Sequence, residues 1–343
     1  MSGERKRAIR QLQRQVYDLE CTLRAARRGQ TTQLPWEDVA VALKNDFLAL
    51  VADHRALKQR VDDQRQLLAQ MHTWVHRNLR AASDNPHGAT YLLRGTTASR
   101  EMALAWLIRQ QYEHTMAVMG THVYPLDPTA ELVDIGYSLG DTDDPNAFAV
   151  HVTTQSLLPY ALPIATAGVW EAERSFPAVY CAADTNRQHV TRDLCVRGQD
   201  VAYTHEAMAL SRESVVADTV LLGRLNVSAT RTILVLRTIG HDDAHPIAPR
   251  TWRCPVFQWT VLDAIDATTT RCRTYYFADS PWRGATRMPL QQLGARFNID
   301  LRQPDGLHRL RDTNRRYQLS QRAFFRAHLD GILRRLATTP HAP

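Results

Sequence analysis

Two runs of apolar residues, spaced alternately by three and four, open the chain and constrain its architecture more than anything after them. Ile9, Leu12, Val16, Leu19 and Leu23 make the first run. Leu43, Phe47, Leu50, His54, Leu57, Val61, Gln64, Leu68, Met71 and Val75 make the second. A repeat of 3.5 residues places such side chains on one narrow helical seam. A seam this narrow buries too little apolar surface to hold a lone helix in water, so it requires a partner helix. The partner is a second copy or the preceding helix folded back. A parallel homodimer is the expectation, with Leu43, Phe47, Leu50, Leu57, Val61, Leu68, Met71 and Val75 as its dimerisation residues. His54 and Gln64 either fix register and strand number at the seam or sit where the helix meets solvent.

Gly29 and the polar residues Gln30 to Gln33 break the first run. Pro35 suits a first helical turn, and Glu37 and Asp38 complement the dipole of the helix that follows. Periodicity is lost over 81–97, which reads as a linker through Ser83, Asp84, Asn85, Pro86 and Gly88. A helix resumes near Ser99, with Ala105, Ile108, Tyr112, Met116 and Met119 on one face, widened by Met102 and Trp106. Beyond Gly120 the pattern changes to alternation. Glu131–Ser138 and Ala147–Thr154 flank a turn-rich stretch and form a hairpin signal. A helix over Pro163–Arg174 follows, then strands near Val201–Met208, Ser214–Asn226, Thr230–Ile239, Cys254–Leu262 and Arg271–Ala278. A helix over Thr313–Leu336 closes the chain, with Phe325, Leu329, Ile332 and Leu336 facing inward and Arg315, Arg322 and Arg326 off that face. This order is α+β. The domain expectation is a short basic heptad helix over 1–28, a remnant of a zipper-type region. A coiled coil over 34–80, a linker over 81–97, a domain over 98–337 and a tail over 338–343 follow.

The net charge of +7 is concentrated at the ends. Residues 1–28 carry eight Lys/Arg against three Asp/Glu, and residues 302–343 carry nine against three. The body between them is slightly acidic. Basic ends can meet phosphate or anionic lipid, and solvated arginine helices account for them equally well. The longest stretch free of charge and histidine, 152–170, contains Pro159 and Pro163 and is no membrane span. The first ten residues are charged and carry no signal for secretion. The five cysteines include no C-x-x-C pair, so reduced thiols and an intracellular place, cytoplasmic or nuclear, are expected.

Three stretches together resemble a known family. They are Leu34-Pro35-Trp36-Glu37-Asp38-Val39-Ala40-Val41-Ala42-Leu43-Lys44, the helix carrying Trp106, and Arg237-Thr238-Ile239-Gly240-His241-Asp242-Asp243-Ala244-His245-Pro246. With the element order, they resemble the oomycete mating-specific START-like proteins, which carry zipper-type helices before a helix-grip domain. The resemblance implies a curved antiparallel sheet around a long C-terminal helix, enclosing a tunnel for a lipid or other apolar molecule. The sequence holds no G-x-S-x-G, P-loop or G-x-G-x-x-G motif, so binding without catalysis and without a cofactor is the expectation. Many such relatives begin as a basic-region zipper. Here Glu4-Arg5-Lys6-Arg7 comes only just before Ile9, and the first Asn is Asn45. Arg5, Lys6, Arg7, Arg10 and Arg14 can then offer only sequence-blind phosphate contacts. A zipper-type regulator relative that binds DNA weakly or through a partner is the alternative reading, and an enzyme using the cavity is another.

Candidate site residues follow from the faces. Ile233, Val235 and Arg237 share one face of a strand, and Phe325, Leu329 and Ile332 lie on the inner face of the last helix. These six are the expected ligand-binding residues, with Arg237 either anchoring a ligand's acid group or pairing with Asp242 or Asp243. In His241-Asp242-Asp243-Ala244-His245, the flanking Gly240 and Pro246 mark a turn. The helical spacing that lets H-x-x-x-H share a metal is then lost, and aspartates capping a turn explain the segment more simply. No metal and no catalytic residue is assigned; His151 or His205 beside an acid would be the first place to look for chemistry.

Overall fold

The computed structural model describes residues 2–30, 35–84, 92–93, 95–140, 144–183, 189–197, 200–211 and 214–338. The chain divides into two compact units, Met1–Ala69 and Gln70–Pro343. The first holds α1 (Ser2–Gln30) and most of α2 (Trp36–Asp84). Its seam side chains Ile9, Leu12, Leu19, Leu43, Phe47, Leu50, Leu57, Val61 and Leu68 all lie exposed in the single chain.

The last turns of α2 belong to the second unit, where Met71 and Val75, both expected at the seam, pack partly buried with Trp74 against the domain core. Trp74 meets Trp106 edge to face, 5.0 Å between ring centroids. The apolar repeat simply continues from one use to another, because a core and a coiled coil ask for the same side chains. Helix α2 also runs on to Asp84, which shortens the expected linker; residues 85–91 and 94 of that linker lie outside the described residues.

After β1 (Leu92–Leu93), Thr96 caps α3 (Thr97–Glu113) by accepting the Ser99 N–H at 3.3 Å. The buried face of α3 carries Ala103, Leu104, Leu107, Ile108 and Gln111; Met102, Ala105 and Met116 are exposed, unlike the face read from the sequence. This helix is apolar over so much of its girth that periodicity alone misplaces the stripe by one residue. The short α4 (Thr115–Gly120) follows, then β2 (Leu132–Leu139), β3 (Phe148–Leu158) and α5 (Leu162–Ala182). Strands β4 (His189–Arg197), β5 (Val201–Ser211), β6 (Ser214–Ser228), β7 (Arg231–Ile239), β8 (His241–Asp242), β9 (Val256–Ala264) and β10 (Thr270–Ala278) come next. The chain ends with β11 (Trp282–Arg283), β12 (Thr286–Arg287), α6 (Leu290–Ala295) and α7 (Gly306–Thr338).

Eight strands form one antiparallel sheet in the order β2-β3-β10-β9-β7-β6-β5-β4. The β2–β3 hairpin sits at one edge, and a meander from β4 to β10 returns to it from the other. Helix α5 links β3 to β4 and so connects the interior of one edge to the opposite edge. On one face of the sheet, α3, α4 and the end of α2 cover Tyr203, Leu221, Ile233, Val235, Phe257 and Trp259. On the other, α5 and α7 cover Ala202, Leu222, Leu234 and Leu262. This is an α+β helix-grip arrangement, START-like as expected, with α7 held against the sheet.

Two glycines set how closely the layers approach. A Cβ on Gly168 of α5 would lie 2.4 Å from Leu333 Cδ2 of α7, and one on Gly223 of β6 would lie 2.6 Å from Ile108 Cγ2 of α3. Each removes a side chain where another element needs the space.

Candidate functional site

At one end of the α5/α7 face the helices close on the sheet through Leu162, Ala165, Val169, Leu329, Ile332 and Leu333, a dry contact. Toward the other end a cavity of about 300 Å³ remains. Pro177 lies inside α5 in the cavity wall and cannot donate the helical bond to the Glu173 carbonyl. Phe176, Tyr180 and Phe325 supply large side chains to the helical roof.

Strand register builds the floor in rungs. Leu222, Leu236, Gln258 and Tyr276 stand side by side across β6, β7, β9 and β10. The next rung on this face holds Thr204, Val220 and Thr238, and the one beyond it pairs Glu206 of β5 with Asp218 of β6. All of these line the cavity. The floor therefore grades from aliphatic to acidic along one direction. Thr238 and Asp218 also line a second cleft of about 560 Å³, which runs along Gly240, His241 and Pro246–Pro249. They stand in the wall between the two hollows.

The charged groups of the cavity are shifted by their surroundings. Burial raises the Glu173 carboxyl, against the Gln258 amide that donates to it at 2.6 Å and the charge of Arg322. Burial lowers Arg322, against the nearby Tyr276 and Glu173; its guanidinium lies 4.9 Å from the Tyr276 ring centroid. Burial pushes Glu206 up to about 7, and the charge of Asp218 adds to this; a bond from the Thr204 hydroxyl at 3.3 Å opposes it. Burial likewise pushes Asp218 up to about 6, against Arg253 at 3.6 Å and the Cys254 N–H at 2.9 Å.

Of the six expected ligand residues, Phe325 lines this cavity. Leu329 and Ile332 are buried in the closed end against α5. Ile233 and Val235 lie on the opposite face of the sheet, packed under α3. Arg237 shares that opposite face, its guanidinium 5.0 Å from the Phe257 ring centroid. The alternation along β7 is as read, and the parity is inverted: Leu236 and Thr238 face the cavity. Both faces of β7 are apolar because helices cover both, so period two cannot tell which face meets α7. Arg322, expected off the inner face, turns into the cavity. Its place three residues before Phe325 on one helical stripe is the signal that could have found it. Asp218 carried a signal too, since it sits at an inward position of β6 between Val216 and Val220; Glu206, between Thr204 and Met208, gave a weaker one.

Within the His241–His245 segment, Asp242 holds the turn. Asp242 is fully enclosed and binds both Arg100 guanidinium nitrogens, the Tyr203 hydroxyl at 2.7 Å and the Ala244 N–H at 2.9 Å. Burial alone would raise its carboxyl, but these bonds outweigh it and hold the group below the usual carboxylate range. Asp242 thus caps its turn and ties α3 to β8. His241 pairs with Asp243 at 2.7 Å. The two histidines singled out for chemistry lie apart from the cavity. His151 bonds the Ser138 hydroxyl at 2.6 Å and the Tyr275 hydroxyl at 2.8 Å. His205 lies near Arg192, His245 and Arg253, whose charges add to burial in lowering it. Arg5, Lys6, Arg7, Arg10 and Arg14 are exposed on α1. Cys21, Cys181, Cys254 and Cys272 are not joined in disulfides, and burial raises the last two thiols.

No protein family and no curated protein matches the sequence. Among solved structures, human STARD10 is similar over 62% of this chain and 82% of its own, with TM-score 0.34 and 10% identity. The human StAR-related lipid transfer protein 5 is similar over 69% of this chain and 99% of its own, with TM-score 0.40 and 10% identity. The Zhui aromatase/cyclase from Streptomyces sp. R1128 is similar over 55% and 96%, with TM-score 0.30 and 14% identity. The likeness is one of fold. Ligand and chemistry do not follow from overlaps of this size. Among the described residues, no helix is long and apolar enough to cross a membrane.

Proposed function

We propose that this protein is a non-enzymatic START-like module that holds a lipid or other apolar small molecule beneath its last helix and self-associates through its N-terminal helices. The cavity carries the reading. Its floor of Leu222, Leu236 and Val220 and its roof of Phe176 and Phe325 present apolar surface to a hollow that close packing would otherwise fill. A few polar groups converge on one end, the usual division of labour between binding energy and orientation in a ligand site. The exposed seam of α1 and α2 supports self-association, since a second copy offers the same repeat in the same register.

Native mass spectrometry of the full-length protein, purified without detergent, tests both parts. The expected result is a dimer carrying a discrete small-molecule mass that is lost on denaturation and missing from Leu236→Trp, whose indole fills the floor. A protein that stays free of adduct, and takes up no apolar probe that Leu236→Trp excludes, overturns the ligand reading.

A further inference from the structure

Three ion pairs or near-pairs could balance the charges around the cavity, and one group is left over. Arg322 faces Glu173 and the Tyr276 ring. Asp218 has Arg253 and the Cys254 N–H. Arg174 of α5 reaches Asp193 of β4 at 4.0 Å. Glu206 has a hydroxyl bond from Thr204 and no ion-pair partner among the described residues. It stands directly across from Asp218, and like charges in that position repel. Thr191 of β4 stands across from it on the other side, and the same cavity is lined by Arg174 and Tyr180 on α5, His189 on β4, and Tyr317, Gln321 and Arg322 on α7. A cation placed here would answer the free carboxylate and relieve the repulsion together. Two aromatic rings stand in the same cavity wall: Phe176 and Tyr180 stack with centroids 5.3 Å apart and offer π faces, a second attraction for a cation. The hollow, near the lower end of the range for ligand pockets, has room for one chain rather than two.

We propose that the occupant is a single-chain amphiphile with a cationic head, an amine or a quaternary ammonium, seated at Glu206 and Asp218 with its tail along Leu222, Leu236 and Phe325. This rests on the cavity-binding reading above and adds the charge of the head to it. An anionic head at this end would meet two carboxylates. Arg322, whose Nε has no acceptor among the described residues and whose charge burial disfavours, lies against the Tyr276 ring near Glu173, on the Gln258–Tyr276 side rather than at the acidic rung.

The test is titration calorimetry of the full-length, ligand-free protein with decylamine, decan-1-ol and decanoate at pH 8. Decylamine is expected to bind at least about tenfold tighter than decanoate, the worth of one charge-assisted contact. Glu206→Gln should bring decylamine down to the level of decan-1-ol without changing the alcohol, and Leu236→Trp should abolish all three. Decylamine affinity should also rise between pH 6 and pH 8, as Glu206 ionises while the amine stays charged; decan-1-ol should show no such trend. If decanoate or decan-1-ol binds as tightly as decylamine and Leu236→Trp removes that binding, the head-group inference is wrong and the cavity reading survives. If Glu206→Gln leaves decylamine unaffected, the inference is also wrong. If no probe shows binding that Leu236→Trp removes, the cavity reading fails and takes this inference with it.

Discussion

Replacing Glu206 by Gln should stabilise the ligand-free protein at alkaline pH and do much less at acid pH. Burial raises this carboxyl from 4.5 to about 7 in the folded chain, so between those values the folded state holds a proton that the unfolded state has lost. A raised carboxyl of this kind costs nothing while protonated and costs stability as pH climbs through its folded pKa. At 1.36 kcal/mol per pH unit, the penalty would grow by about 2.5 kcal/mol between pH 5 and pH 8. Part of the side chain meets cavity water, which reduces the expected growth to about 2 kcal/mol. Glutamine keeps the size and the acceptor for Thr204, and removes both the charge and its repulsion with Asp218. Urea unfolding of the wild type and Glu206→Gln at pH 5, 6.5 and 8 measures the difference directly. The gap should widen steadily in favour of the variant. A constant gap across pH, or a variant less stable at pH 8, would refute the claim that an uncompensated carboxylate lies in this cavity.

Breaking the Arg100–Asp242 pair by Asp242→Ala should cost about 3–5 kcal/mol in the same assay, because it strands a guanidinium in the joint between α3 and the sheet. The Asp242 carboxyl is held low, so its contribution is present above the ordinary carboxylate range and is lost as pH falls through the depressed value; Asp242→Asn should flatten acid unfolding accordingly. Gly168→Ala should destabilise by about 1–3 kcal/mol through its collision with Leu333, seen as a lower urea midpoint. Gly223→Ala should cost a similar amount, and Ile108→Ala in the same chain should make the pair less harmful than the two single losses added together. If the N-terminal helices self-associate as proposed, Leu50→Asp with Leu57→Asp should lower the mass found by sedimentation equilibrium to that of a monomer and leave any probe binding by the cavity unchanged.

The sequence by itself determined most of the longer elements. Heptad spacing marked both long N-terminal helices, alternation and turn residues marked the β2–β3 hairpin, and apolar runs marked five of the six strands in the meander. Strand β4 escaped because an edge strand such as His189–Arg197 carries charge where a central one carries aliphatics. Helix α5 was read to end at Arg174; it runs on through Pro177, a residue that ordinarily ends a helix, to Ala182. The sequence also showed that β7 has two different faces, but it could not say which one looks into the cavity. That choice belongs to tertiary structure: α3 needs Ile233 and Val235 as cover, which leaves Leu236 and Thr238 for α7. The same holds for Met71 and Val75, whose spacing fits a seam and whose partners turn out to be Trp74 and its core. Glu206, Asp218, Glu173 and Arg322 are distant in sequence and become one site only when β5, β6, α5 and α7 meet. Local pattern records how much of a residue is apolar and how often. It carries no record of which long-range neighbour will withdraw a charge from water, and that withdrawal is what makes those four residues a candidate site.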